Sequence, residues 1–155
     1  MASQLQVLFL AMIPINELRG TIPLALSVYH LTIWEAFFYS AIGNIIPVFI
    51  LLFLLPRITN VLMKKSRKID KFFTWLFERT RKKFYKKYSL YGDLALTIFV
   101  AIPLPLTGAW TGAIAAFLFG IPYWRACGLI FLGVLIAGII ITGLSTSAIS
   151  IFNSI

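Results

Sequence analysis

The chain has 155 residues, of which 60% are hydrophobic and only 12% are charged, and its mean hydropathy is +0.93. A soluble domain carries about 25% charged residues, so the composition argues against a globular cytosolic enzyme and predicts a membrane protein. The net charge is +9, but twelve of the fourteen basic residues lie between Arg57 and Lys87. This clustering is typical of a cytoplasmic membrane loop, and no nucleic-acid partner is expected.

One cysteine and one histidine leave no intrachain disulfide and no cysteine–histidine metal site. The sequence also lacks a Ser-His-Asp set, a Walker motif and a dinucleotide fingerprint. We therefore expect neither an enzyme nor an ATP-driven pump, and no cofactor. Residues 1–6 lack the basic n-region of a signal peptide, so we expect the N-terminus to be retained.

The first apolar segment, Leu5 to Val28, is long enough to cross a bilayer but contains Pro14, Gly20 and Pro23. Proline costs about 3 kcal/mol inside a helix, and backbone groups freed in lipid must be satisfied by protein or water. The sequence therefore predicts a broken helix in the protein interior, either re-entrant or fully crossing.

Two charged residues, Glu17 and Arg19, lie inside this segment, directly after Asn16. Ionisable groups at membrane depth are costly and usually functional. Residues two apart do not face each other on a helix, so these two can pair only where the chain is unwound. The functional hypothesis is that Glu17 exchanges protons and Arg19 binds an anionic group. The alternative is a structural ion pair or snorkelling to the interface.

The second segment, Ile33 to Leu55, resembles an ordinary span, begins beside an interfacial anchor at Trp34 and Glu35, and contains Asn44, to which we assign a structural role. The basic stretch that follows predicts an amphipathic helix on the cytoplasmic leaflet, held by anionic lipid head groups. Its apolar positions recur at three- and four-residue steps: Ile69, Phe72, Phe73, Leu76, Phe77, Phe84, Tyr88 and Tyr91.

The third segment, Leu94 to Phe119, is also broken and carries no charge. Its central residues offer hydroxyls, an indole and freed backbone groups, which predict an anion-binding half-helix terminus or close helix packing. They are Pro103, Pro105, Thr107, Gly108, Trp110, Thr111 and Gly112. The fourth segment, Tyr123 to Leu144, is an ordinary span beginning beside an anchor at Trp124 and Arg125, and Asp93 is predicted to be an N-cap.

The two halves of the chain are weakly similar at an offset of 89 to 90 residues, which aligns Pro14 with Pro103, Trp34 with Trp124 and Gly43 with Gly133. This repeat predicts an all-α integral membrane protein with two inverted repeats, each a re-entrant helical hairpin followed by a transmembrane helix. The first repeat is 1–56, the basic linker 57–92 and the second repeat 93–155. Fully crossing broken segments would instead give parallel halves.

The motifs at Glu17 to Pro23 and at Pro103 to Gly112 resemble the small multidrug export family of bacteria and archaea, which is similar to the DedA and VTT-domain membrane proteins. The resemblance covers nearly the whole chain and implies an integral-membrane transporter with facing re-entrant helices. Through DedA it also implies lipid movement, for example of undecaprenyl phosphate, with Glu17 and Arg19 as the required acid and arginine. The third segment departs from DedA because it holds neither.

The leading hypothesis is a small transporter or flippase for an amphiphilic or anionic substrate, such as a polyprenyl phosphate. The substrate would contact Arg19 and the 107–112 backbone, with Glu17 exchanging protons and with Pro14, Asn16, Gly20 and Pro23 shaping the site. One alternative is a proton-coupled exporter of lipophilic cations, and another is a membrane scaffold without transport. We expect a homodimer in the cytoplasmic membrane, with the basic segment inside the cell and both termini outside.

Overall fold

The computed structural model describes residues 2–88, 92–104 and 107–153, and these ranges fold into α-helices without strands. The helices are α1 (Ala2–Met12), α2 (Glu17–Ser27), α3 (Ile33–Lys65), α4 (Arg67–Tyr88), α5 (Gly92–Ala101), α6 (Ala109–Phe119) and α7 (Tyr123–Asn153). Within the described ranges, α3 and α7 are long and apolar enough to cross a bilayer. They begin where the second and fourth segments were predicted to begin, and both continue beyond the predicted ends.

The first apolar segment is broken between α1 and α2, as predicted, but at one point only. α1 ends at Met12 because the residue before a proline disfavours the helical conformation, and residues 13–16 form a turn around Pro14. Gly20 and Pro23 were expected to break the segment as well, and that expectation is wrong, since both lie inside α2. An isolated proline removes one backbone donor, which a helix held by its neighbours tolerates.

The third segment is broken between α5 and α6. Residues 102–104 and 107–108 are non-helical, α6 starts immediately after Gly108, and Pro105 lies outside the described residues. α6 ends at Gly120, whose φ of 74° is left-handed, a helix terminus that glycine adopts without steric cost. The chain then turns directly into α7.

Equivalent helices of the two halves make equivalent contacts. α1 packs against α3 as α5 packs against α7, while α2 packs against α7 as α6 packs against α3. Each broken segment therefore contacts the long helix of the other half as well as its own. The main core lies between these helices and contains Ile22, Val48, Val100, Ile130 and Val134.

Two glycines that the predicted repeat aligns, Gly43 and Gly133, allow close helix contacts. A Cβ at Gly43 would overlap the Leu8 carbonyl on α1, and a Cβ at Gly133 would lie 2.8 Å from the Thr97 carbonyl oxygen on α5. Leu8 and Thr97 are themselves 89 residues apart. The same close approach is thus built into both halves, because only glycine leaves room for the neighbouring backbone.

A side-chain hydrogen bond links the start of α3 to α1, and a corresponding one links the start of α7 to α5. Gln4 Nε2 donates to Glu35 Oε1 at 2.6 Å, and Arg125 Nε donates to Asp93 Oδ2 at 2.6 Å. Asp93 is therefore an ion-pair partner in the first turn of α5, and its prediction as an N-cap is wrong. Trp34 and Trp124 are 72% and 79% exposed, consistent with anchors at a membrane interface.

The amphipathic helix predicted in the basic stretch is α4, which packs against α3 and α6. Its apolar face includes half-buried Phe77, whose ring lies 5.3 Å from that of Phe117 near the end of α6. The side chains of Phe84 and Tyr88, and all of Tyr91, lie outside the part of the chain that the structure describes. The end of α6 therefore lies beside the basic helix.

Candidate functional site

Glu17 begins α2 and is buried, with 8% of its surface exposed. Its φ of 40° is left-handed, which is rare for glutamate and is a form of backbone strain that concentrates at functional sites. Oε1 accepts a hydrogen bond from the backbone N–H of Trp110 at 3.4 Å. Glu17 thus accepts a hydrogen bond from an N–H group at the N-terminus of α6 that has no helical partner. The sequence had predicted a bound anion at this terminus as one possibility.

Gly108, which precedes α6, lies directly against this carboxyl group. A Cβ built on Gly108 would overlap both carboxyl oxygens of Glu17. An added Cβ would therefore force the Glu17 side chain to move, and Gly108 leaves the space that the Glu17 carboxyl group occupies.

Arg19, one half-turn further along α2, reaches the non-helical residues before α6. It donates to the Leu104 carbonyl, and its Nη2 donates to Thr107 Oγ1 at 2.9 Å. The Thr107 hydroxyl in turn lies 2.7 Å from the Ile102 carbonyl oxygen. Arg19 and Thr107 together satisfy polar groups that the break between α5 and α6 leaves without helical partners.

Trp110 makes the reciprocal contact to the first segment. Its indole Nε1 donates to the carbonyl of Met12, the last residue of α1, at 3.2 Å. Each broken segment therefore supplies partners for the freed backbone of the other. In the described residues, Glu17 and Arg19 form no ion pair with each other, and both instead contact the opposite segment.

The remaining predicted residues surround this contact. Asn16 occupies the N-cap position of α2 but makes no side-chain cap hydrogen bond, and Gly20 lies against its side chain. Thr111 donates to the Gly108 carbonyl at 3.3 Å, and buried Gly112 contacts Val100 on α5. Pro14 is exposed on the turn between α1 and α2.

An open groove of about 400 Å³ begins beside Arg19 and runs along α7. Arg19 is the one charged side chain among its lining residues, and most of the others are apolar. The lining comprises Arg19, Pro23, Ser27, Pro103, Ile141, Leu144, Ser145, Ala148 and Ile149. The α7 residues were not predicted from sequence, since an apolar span gives no sign of which face borders a cavity.

A smaller void of about 10 Å³ is lined by Glu17, Arg19 and Asn44 among apolar residues, and it shares Arg19 and Ile141 with the groove. Asn44 was predicted to be structural, yet its Oδ1 has no hydrogen-bond partner in the described part of the chain. The sequence feature that could have indicated a polar site here is the pair Ser40 and Asn44. These residues are four positions apart on one helix face in a mostly apolar span.

Within the described residues, two helices are long and apolar enough to cross a bilayer, and many large apolar side chains are exposed on them, as expected of a membrane protein. Buried Glu17 and half-buried Arg19 lie two residues apart in the first broken segment, and ionisable groups in such segments are usually functional. Residues 17–140 match the family described as "Putative small multi-drug export protein", and the chain belongs to this family. The family resemblance predicted from the two motifs is thereby confirmed. No curated protein matches the chain, and no solved structure does so.

Proposed function

We propose that this protein is a small secondary transporter that exports amphiphilic compounds through a site between its two broken segments. The observation that carries the proposal is Arg19, which contacts Leu104 and Thr107 while lining the groove along α7. A charged group that both links the halves and faces a cavity can couple substrate binding to their relative movement. Export is also the activity in the family's description.

The proposed membrane arrangement is inverted, with two re-entrant pairs of helices. α1, α2, α5 and α6 have 10 or 11 residues each, which at 1.5 Å per residue reaches about half of a 30 Å hydrocarbon core. α5 starts soon after α4, and α6 ends beside α4 at the Phe77–Phe117 contact. Both observations support entry and exit on one side. The basic helix would then lie in the cytoplasm and both termini outside.

The groove favours a substrate with an anionic head group and an apolar body. Arg19 can bind carboxylate or phosphate with its remaining donors, and the apolar lining suits an acyl or polyprenyl chain. A polyprenyl phosphate is one such compound, and the family's description suggests a wider, drug-like range. A relation to DedA lipid transporters remains a prediction.

A lipophilic cation is the second candidate, supported by the word "multi-drug" in the family's description. Such a substrate would compete with protons at Glu17. Glu17 does not line the groove, however, and its carboxyl group lies against Gly108 and Trp110. Cation export would therefore require Glu17 to move toward the groove, whereas Arg19 already faces it.

Flux measurements in proteoliposomes distinguish these possibilities. The panel would contain a fluorescent polyprenyl phosphate, an anionic amphiphile with an acyl chain and a lipophilic cation, each measured with and without a proton gradient. We expect gradient-dependent flux of the anionic compounds. Flux of the cation alone would favour the second candidate, and no flux of any compound from folded protein would favour a non-transporting scaffold. Cross-linking in the same vesicles tests the proposed homodimer.

A further inference from the structure

Three buried polar side chains between α2 and α3 have oxygen atoms without a hydrogen-bond partner in the described residues. They are Thr21 Oγ1, Ser40 Oγ and Asn44 Oδ1, and the three side chains are at most 2% exposed. Buried polar groups are nearly always paired, and an unpaired one is destabilising unless water or an ion satisfies it. Three such groups on α2 and α3 therefore indicate bound water or a bound ion between these helices.

The positions of these residues form a ladder that starts at Glu17. Thr21 lies one helical turn after Glu17 on α2, and Ser40 one turn before Asn44 on α3. The short connection 28–32 brings α3 back along α2, and Ala25 and Ala36 pack in one cluster near it. Glu17 and Asn44 line one void at the far end. Thr21 and Ser40 are therefore level with each other, halfway between these two contacts.

The void beside Glu17 and Asn44 has a volume of about 10 Å³, which is close to the space that one water molecule needs. A water here would donate to Glu17 and to Asn44 Oδ1 and could accept from Arg19. A metal cation is disfavoured because Arg19 lines the same void. The other lining residues, contributed by α2, α3, α5, α6 and α7, carry no further charged group.

We infer that Thr21, Ser40 and Asn44 hold internal water molecules and form a hydrated route along which protons reach Glu17. Each hydroxyl accepts a proton on its oxygen from one water and gives its own proton to the next, and rotation of the O–H group then restores its starting orientation. The water held by Asn44 delivers the last proton to a Glu17 oxygen. The inference rests on the proposed function, in which Glu17 exchanges protons.

The void beside Glu17 and the groove along α7 are adjacent, because Arg19 and Ile141 line both. A proton arriving at Glu17 and a substrate bound at Arg19 would therefore occupy neighbouring sites. This arrangement suits an exchanger, in which one species moves as the other is released.

The test is infrared spectroscopy of the Glu17 carboxyl group in purified protein after a pH jump, with the band assigned by its loss in Glu17→Gln. We expect Thr21→Val and Ser40→Ala to slow protonation roughly a hundredfold, the lower end of the range for a positioned proton-transfer group. Thr21→Ser, which keeps the hydroxyl, should retain the wild-type rate. Thr59→Val is the matched control, because Thr59 is a buried threonine on α3 away from the ladder.

Unchanged protonation rates in folded Thr21→Val and Ser40→Ala would overturn the route. A rate that depends on sodium rather than potassium at equal ionic strength would also overturn it, since the void would then hold a cation. Neither result requires substrate flux, so a failure of the route is distinguishable from a failure of the proposed transport.

Discussion

Arg19 Nη2 donates to Thr107 Oγ1 at 2.9 Å although 88 residues separate them in the sequence. This bond joins the two broken segments, and it is accompanied by the bonds from Trp110 to Met12 and to Glu17. The freed backbone of each segment is thus satisfied by the other half of the chain. The cost of breaking two helices is therefore offset where the two segments meet, which is also where Glu17 and Arg19 lie.

Thr107→Val should lower transport and stability, because it removes one of the two acceptors of Arg19 and the hydroxyl that bonds to the 102–104 backbone. Loss of such a bond costs about 1 kcal/mol in unfolding free energy. Proteoliposome flux and thermal unfolding in detergent measure the two effects. Thr111→Val is the control, since Thr111 bonds to Gly108, three residues before it. Equal effects of both substitutions would show that the Arg19 contact is unimportant.

Gly108→Ala should abolish gradient-driven flux, because the added methyl group would occupy the space of the Glu17 carboxyl group. The displaced side chain would lose its bond to the Trp110 N–H. Gly128→Ala is the matched control on α7, where a Cβ meets nothing within 4 Å. Wild-type flux from Gly108→Ala would mean that the position of the Glu17 carboxyl group does not matter for transport.

Gly43→Ala and Gly133→Ala should destabilise the fold by similar amounts, about 1 to 3 kcal/mol, because each forces a long helix away from a neighbouring backbone. Gly143→Ala should be neutral or slightly stabilising, since a Cβ there has open space. Thermal unfolding in detergent measures all three. A loss at only one of the two buried positions would argue against equivalent packing in the halves.

Trp34 and Trp124 should lie on opposite sides of the membrane if the repeats are inverted, and on the same side if they are parallel. Both are highly exposed, so single cysteines at these positions are accessible to an impermeant maleimide. In a Cys127→Ala background we expect Trp34→Cys to be labelled in intact cells and Trp124→Cys only after permeabilisation. Labelling of both in intact cells would contradict the inverted arrangement.

The helix breaks and the long helices could be predicted from sequence because both follow from local chemistry. Proline removes a donor wherever it occurs, so the breaks at Pro14 and Pro103 were visible, and two long, mostly apolar runs gave the starts of α3 and α7. Gly20 and Pro23 were overestimated as breaks because neighbouring helices support α2 there. Local sequence contains no information about that support.

The pairing of the site residues could not be predicted in the same way. Glu17 and Arg19 were found because charge is rare in an apolar segment, but their partners depend on how the halves pack. A direct pair between Glu17 and Arg19 was one of the expected possibilities. In the structure, Glu17 instead bonds to Trp110 and Arg19 to Thr107. The groove along α7 was missed for a related reason, since its residues are ordinary apolar side chains whose role comes from position alone.

The most direct test of the account is proton-gradient-driven flux of a fluorescent polyprenyl phosphate in proteoliposomes, compared among wild type, Glu17→Gln, Arg19→Ala and Arg125→Ala. Arg125 is the matched control, since it pairs with Asp93 at the start of α7, away from the groove. We predict flux in the wild type and in Arg125→Ala, and its loss in Glu17→Gln and Arg19→Ala. Full flux in folded Arg19→Ala would contradict a transport site between the two broken segments.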